Sequence, residues 1–110
     1  MVTFTLRSGT LVAMVTGDID QHTVPSIREQ IDLKITHENV RRLIFDFSSL
    51  DFMDSSGIGL IIGRYKIMTA INGKVSIIAD KPAIRKLLEL SGIGGIVNIH
   101  HTLSEALKSA

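Results

Sequence analysis

The sequence predicts an α/β fold, a small mixed β-sheet with helices in the order β-β-α-β-α-β-α-β-α. Short apolar or alternating runs, typical of strands, take turns with segments in which apolar residues recur at helical spacing. This alternation indicates parallel strands joined by helical crossovers, and an N-terminal hairpin supplies the antiparallel part. At 110 residues, the chain is expected to form one domain over residues 1–110.

The N-terminal part predicts a hairpin and then a helix. Residues 2–6 and 11–15 are strand-like, and a turn over residues 8–10 joins them at one edge of the sheet. Apolar residues at helical spacing predict a helix from Val24 to about His37, with Thr23 as its N-cap.

The middle of the chain predicts the central strand and a functional loop. Residues 43–47 are nearly all apolar, which is typical of a strand covered by helices on both faces. A polar loop over residues 48–57 follows it and ends at the start of a second helix, which Gly73 is expected to stop.

The C-terminal part predicts four more elements. They are a strand over residues 74–79, a helix from Pro82 to Gly92, a strand over residues 97–100 and a helix over residues 103–107. Asp80 and Lys81 are expected to cap the third helix, and Thr102 the fourth.

Composition excludes several classes of function. A net charge of +1 gives no broad field for nucleic acid or acidic lipid, and the absence of cysteine excludes thiolate metal sites and cysteine nucleophiles. Because no apolar run is long enough for a membrane helix and no signal peptide is visible, we expect a cytoplasmic protein without membrane contact. Adjacent His100 and His101 would point to opposite faces of a strand, so we expect no metal. We also expect that the domain folds without a cofactor and has none of its own.

The segment from Asp51 to Gly59 is the leading candidate site, because it links the central strand to a helix, where α/β sheets place functional loops. A serine nucleophile at Ser55 is one interpretation. Met53 replaces the first glycine of the hydrolase pattern Gly-x-Ser-x-Gly, and a histidine base would have to come from elsewhere in the chain.

A phosphate-binding loop is a second interpretation. Gly57, Gly59 and Gly63 are spaced Gly-x-Gly-x-x-x-Gly, one residue longer than the dinucleotide pattern. Close packing of the helix on the sheet and a tight entry turn are the favoured explanation of these glycines.

Phosphorylation of Ser55 is a third interpretation. A phosphate would add negative charge beside Asp51 and Asp54 and next to the apolar Phe52, Met53 and Ile58, and would repel a partner bound there. We expect Phe52 or Met53 to be partly buried. Simple capping of the helix by Asp54 and Ser55 is the alternative without regulation.

The stretch from Asp46 to Lys66, which contains Met-Asp-Ser-Ser-Gly and Gly-Arg-Tyr-Lys, resembles the anti-sigma factor antagonists of the STAS domain family. Further similarity lies in residues 17–20 and 82–92, so the resemblance covers essentially the whole chain. It implies a single STAS domain and a regulatory protein that is not an enzyme.

The resemblance also implies a partner-switching cycle in sporulation. The unphosphorylated protein would bind an anti-sigma factor that is a serine kinase carrying ADP or ATP, and would thereby release the sigma factor. Phosphorylation on Ser55, with Ser56 as second choice, would end the complex, and a serine phosphatase would reset it. The positions that match the partner-facing surface are Asp20, Asp54, Ser56, Gly57, Ile58, Ile61 and Arg64.

Two other functions remain open from the sequence. One is a STAS-type scaffold that binds a small ligand or a stress-pathway kinase, and the other is a small serine hydrolase. The hydrolase requires a histidine within hydrogen-bond reach of the Ser55 hydroxyl.

Overall fold

A computed structural model describes residues 1–109, so Ala110, the last residue of the predicted domain, lies outside the described part. The strands are β1 (Val2–Arg7), β2 (Thr10–Val15), β3 (Gly17–Ile19), β4 (Arg42–Asp46), β5 (Leu50–Met53), β6 (Lys74–Ile78) and β7 (Asn98–His100). The helices are α1 (Val24–His37), α2 (Ser55–Ala70), α3 (Pro82–Ser91) and α4 (Leu103–Lys108), and a short 3-10 helix covers Ile93–Gly95.

The main sheet has five strands in the order β1-β2-β4-β6-β7. β1 and β2 form the antiparallel hairpin, and the other neighbours are parallel, which confirms the predicted α/β class with a small mixed sheet. β4 is central as predicted, and Leu43, Ile44 and Phe45 in it have no exposed surface.

Helices cover the two faces of the sheet unequally. The larger core lies between one face and helices α1, α2 and α3, which contribute buried residues such as Ile31, Ile61 and Leu88. On the opposite face Ala106 of α4 packs against Ile44 and Ile78. Most of the apolar burial that stabilises the fold is therefore on the first face.

Two short strands were not predicted. β3 and β5 lie in segments expected to be polar loops, yet they pair in parallel as a separate two-stranded sheet. They bury Ile19, Leu50 and Met53, whereas Asp18 and Phe52 stay exposed. Strands of three and four residues are too short to show an alternating pattern in the sequence.

Helix ends agree with the sequence in part. Gly92 ends α3 with φ 78°, and Thr102 Oγ1 accepts a hydrogen bond from Glu105 N at 3.1 Å, so both predicted signals are confirmed. Thr23 lies at the predicted N-cap position of α1, although its side chain accepts no bond from the helix. Lys81, and not Asp80, lies at the N-cap position of α3, and no side chain caps that helix. Asp80 instead pairs with His101, 3.1 Å away.

The end of α2 also differs from the prediction. The helix stops at Ala70, and Gly73 follows a short turn in which Asn72 has φ 59°. Gly73 N donates to Met68 O at 2.7 Å, and a Cβ at Gly73 would lie 3.0 Å from Arg41 O. Gly73 therefore permits close backbone packing after the helix.

Two glycines in the first turns of α2 predict opposite effects on stability. A Cβ at Gly57 would lie 2.6 Å from Met53 Cγ and 3.1 Å from Ile19 Cγ2, whereas a Cβ at Gly59 would meet no atom within 4 Å. Gly57→Ala should therefore lower the free energy of unfolding by about 1–3 kcal/mol through overpacking. Gly59→Ala should raise it by about 0.5–1 kcal/mol.

Urea unfolding of the two variants beside the wild type measures both changes. Equal stabilisation by both substitutions would show that α2 does not press on β3 and β5 at Gly57.

Candidate functional site

Asp54 holds the start of α2 through its backbone and its side chain. Its backbone N–H donates to Ile19 O of β3 at 3.1 Å. Its Oδ1 accepts from Ser56 N at 2.8 Å and also from the Ser56 hydroxyl. The predicted cap by Asp54 is thus confirmed, and it ties the helix to the end of the small sheet.

The hydrogen bonds from Ser56 also set the charge of Asp54. They lower the pKa of the Asp54 carboxyl below its ordinary value of 3.8, because they stabilise the ionised form, and burial opposes them only in part. The N-terminus of α2 therefore carries a fixed negative charge at neutral pH.

The two adjacent serines have different surroundings. Ser55 is the first residue of α2 and is exposed, and its hydroxyl takes part in none of the hydrogen bonds found among residues 1–109. The Ser56 hydroxyl is half-buried and donates to Asp54. Of the two predicted modification sites, Ser55 thus presents the more accessible oxygen.

Asp20 lies beside Asp54 because of strand pairing. Ile19 of β3 is in register with Met53 of β5, so the residues that follow them leave the small sheet at the same edge. Asp20 Oδ1 accepts bonds from His22 N at 2.8 Å and Thr23 N at 3.1 Å, and this turn leads into α1. The turns that contain Asp20 and Asp54 are distant in sequence but lie next to each other at the start of α2.

The predicted partner-facing positions do not all reach the surface. Asp20, Asp54, Ser56 and Ile58 are partly exposed. Gly57, Ile61 and Arg64 are buried in the isolated domain, and their contact with a partner stays a prediction. Ile61 has no exposed surface because it packs in the main core, and Gly57 is covered by Met53 and Ile19.

Arg64 joins the two helices. Its Nε lies 3.0 Å from Asp32 Oδ1 of α1, and its Nη1 donates to Leu60 O at 3.4 Å. Burial lowers the pKa of Arg64 from its ordinary value, while the charge of Asp32 raises it and that of Arg28 lowers it further. Arg64 thus positions α2 against α1.

A groove between α1 and α2 begins beside Ser56 and was not predicted. It has a volume of about 350 Å³ and is lined by Val24, Arg28, Ser56, Gly59, Leu60, Gly63 and Arg64. Gly59 and Gly63 leave it open, since a Cβ at either would meet no atom within 4 Å. Close packing therefore explains why residue 57 is a glycine, but it does not explain Gly59 or Gly63. Their four-residue spacing, which places both on one side of a helix, was the signal in the sequence.

The apolar patch expected around the loop is smaller than predicted. Phe52 is 51% exposed, but Met53 is only 5% exposed and Ile58 is half-buried. The expectation that Phe52 or Met53 would be partly buried is confirmed by Met53. Phe52 is thus the large apolar side chain offered beside Ser55.

The described residues show neither the contacts of a serine nucleophile nor those of a metal site. None of the hydrogen bonds among residues 1–109 joins Ser55 to a histidine, and His101 is paired with Asp80. The described residues contain no group of three or more side chains placed to hold a metal ion. In the same part of the chain, no helix has the length and apolar character to cross a membrane.

The capping interaction predicts a specific pH dependence of stability. Because the folded-state pKa of Asp54 is lowered, its contribution is fully present above the ordinary pKa of 3.8 and is lost as the pH falls through the folded value. Asp54→Asn should remove this part of the pH dependence, since an amide still accepts hydrogen bonds but carries no charge. Urea unfolding between about pH 6 and pH 2 tests this, and identical pH profiles for variant and wild type would contradict it.

Comparison with known proteins places this geometry in a family. The model of the STAS domain matches residues 2–106. The anti-sigma F factor antagonist of Paenibacillus polymyxa is 33% identical over 90% of this chain and 85% of its own length.

Solved structures agree with this match. The anti-sigma factor antagonist SpoIIAA in its unphosphorylated form has a TM-score of 0.84 at 32% identity, over 97% of this chain and 93% of its own. The phosphorylated form of the Bacillus cell fate determinant SpoIIAA has a TM-score of 0.75 at 32% identity, over 97% of this chain and 96% of its own. The chain therefore belongs to the STAS domain family, and the members to which it is similar are anti-sigma factor antagonists.

Proposed function

We propose that this protein is an anti-sigma factor antagonist controlled by phosphorylation of Ser55. The exposed, unengaged hydroxyl of Ser55 at the first position of α2 is the observation that carries the proposal. Unphosphorylated, the protein binds an anti-sigma factor that is also a serine kinase, and the sigma factor is released. The similar protein SpoIIAA has both a phosphorylated and an unphosphorylated form, which supports a two-state cycle here.

The proposed partner surface combines charge and apolar contact. Phe52 supplies an exposed aromatic ring, Asp20 and Asp54 supply carboxylates, and Ile58 is half-exposed between them and the core. The groove beside Ser56 extends this surface along α2. A partner that covers it loses water from an apolar centre with a polar rim, which is the usual composition of such interfaces.

Phosphorylation would change this surface through charge. A phosphate on Ser55 adds about −1.5 to −2 charges next to the ionised Asp54 and near the exposed Asp51. Burial of that charge beside Phe52 in a complex costs desolvation as well as repulsion. The positive end of the α2 dipole favours the phosphate locally, so the fold is retained while the complex is weakened.

The remaining parts of the cycle lie with the partners. The kinase supplies ATP, a serine phosphatase removes the phosphate, and both act in the cytoplasm. On this proposal the chain binds no cofactor, nucleic acid or membrane and is a regulator rather than an enzyme.

Phosphate transfer tests the modified residue directly. Incubation with Mg-ATP and a sporulation-type anti-sigma kinase should add the mass of one phosphate to the wild type and to Ser56→Ala, but none to Ser55→Ala. Intact-protein mass spectrometry reads all three. Phosphate on Ser55→Ala, or none on any protein while the kinase modifies a known substrate, would overturn the assignment. Transfer only by a stress-type kinase would favour the other pathway.

Removal of Phe52 tests the binding surface. Phe52→Ser should weaken binding to the anti-sigma factor by at least about tenfold, since an exposed aromatic at an interface centre commonly contributes about 1–3 kcal/mol. Leu90→Ser is the matched control, because Leu90 is 77% exposed on α3 and lies outside the proposed surface. Calorimetric titration measures both, and equal losses for the two variants would contradict the proposed location.

A further inference from the structure

The two edges of the main sheet are protected unequally. β7 at one edge has three residues, and short edge strands pair poorly with other chains. β1 at the other edge has six residues, and within residues 1–109 no strand pairs with its outer side. It contains no proline, its register with β2 has no bulge, and its one charged residue is Arg7 at the end. β1 therefore lacks the usual features that prevent edge-to-edge pairing.

The register shows which backbone groups of β1 are free. Met1 N donates to Thr16 O at 2.9 Å and Thr16 N donates to Met1 O at 2.8 Å, so these residues form a hydrogen-bonded pair. Because such pairs alternate along an antiparallel ladder, Thr3, Thr5 and Arg7 also bond to β2. The N–H and C=O groups of Val2, Phe4 and Leu6 consequently point away from β2, toward the free edge.

We propose that this edge pairs with β1 of a second copy of the chain, antiparallel about a two-fold axis centred on Phe4. In this register Phe4 faces Phe4 of the second copy, and Val2 faces Leu6. Every free N–H and C=O of these three residues then meets its complement, because free-edge residues oppose free-edge residues. A shift by one residue would place them opposite residues already bonded to β2, so the edge is complementary to itself in this register.

Side chains near the edge fit the same partner. Phe4 lies on the sheet face that α1 covers, beside a groove of about 390 Å³ between β1 and α1. Leu33 is 51% exposed at this groove and Leu6 is 38% exposed on the strand. Two-fold pairing brings the α1 helices of both copies to the same face of one continuous sheet, where these apolar surfaces are covered.

Lys34 extends over the Phe4 ring, with its Nζ 5.7 Å from the ring centroid, and Glu38 lines the same groove. A second copy of this chain thus satisfies the free backbone groups of the edge and covers the apolar surface beside it.

Sedimentation equilibrium tests the proposed dimer. The wild type should approach twice the monomer mass as its concentration rises. Leu6→Lys, which places a charge in the paired edge, should raise the dissociation constant at least about tenfold. Leu107→Lys is the matched control, since Leu107 is 47% exposed on α4, and it should change the constant less than about twofold. A wild type that stays at monomer mass up to about 1 mM, or equal effects of both substitutions, would overturn the proposal.

Amide hydrogen exchange locates the contact on the strand. Thr3 and Thr5 N–H groups should be protected at every concentration, because they bond to β2. Phe4 and Leu6 N–H groups should exchange quickly in dilute wild type and become protected as the concentration rises. In Leu6→Lys, protection of Thr5 shows that the hairpin still folds. A dimer that leaves Phe4 N–H unprotected would place the interface elsewhere and overturn the proposal.

Discussion

The hydrogen bonds of Asp54 are the constraint on which the rest of the site depends. Its backbone joins the small sheet at Ile19, and its carboxylate caps α2 through Ser56. Because the backbone N–H and the carboxylate of Asp54 are both hydrogen-bonded, they determine the direction of the first turn of α2. Ser55 is consequently turned outward, while Gly57 is pressed onto Met53 and Ile19.

This arrangement separates the proposed partner surface from the core that stabilises the fold. The residues whose charge or contacts would change on phosphorylation are exposed at the edge of the small sheet, where Asp51, Phe52 and Ser55 lie. The apolar burial that stabilises the domain is centred on β4 and on Ile61 of α2. A charge added at Ser55 can therefore alter binding without loss of the main hydrophobic contacts.

Local signals made much of the fold predictable from the sequence. These signals act through neighbouring residues, so short windows of sequence show them. They are the apolar run of β4, the caps at Asp54 and Thr102, and Gly92, which ends α3. The pairing of β3 with β5 was not visible, because it joins two very short segments that are separated by α1 and β4. Asp80 satisfies the sequence pattern of a cap but is bound to His101 from a distant part of the chain.

The candidate site was harder to predict for a related reason. α2 is apolar around most of its circumference, so its periodicity does not reveal which side faces the core. Only the resemblance indicates that Ile61 and Arg64 face a partner, whereas the packing of α2 on α1 buries them in the isolated domain. The same packing opens the groove at Gly59 and Gly63, which depends on the distance between two helices rather than on either helix alone.

Binding of the two forms of the protein to one anti-sigma factor tests the central claim most directly. Calorimetric titration of the unphosphorylated protein and of the protein phosphorylated on Ser55 gives the two dissociation constants under the same conditions. The account predicts that the phosphorylated form binds at least about tenfold more weakly, with an unchanged far-ultraviolet circular dichroism spectrum. Equal affinities of the two forms would contradict it.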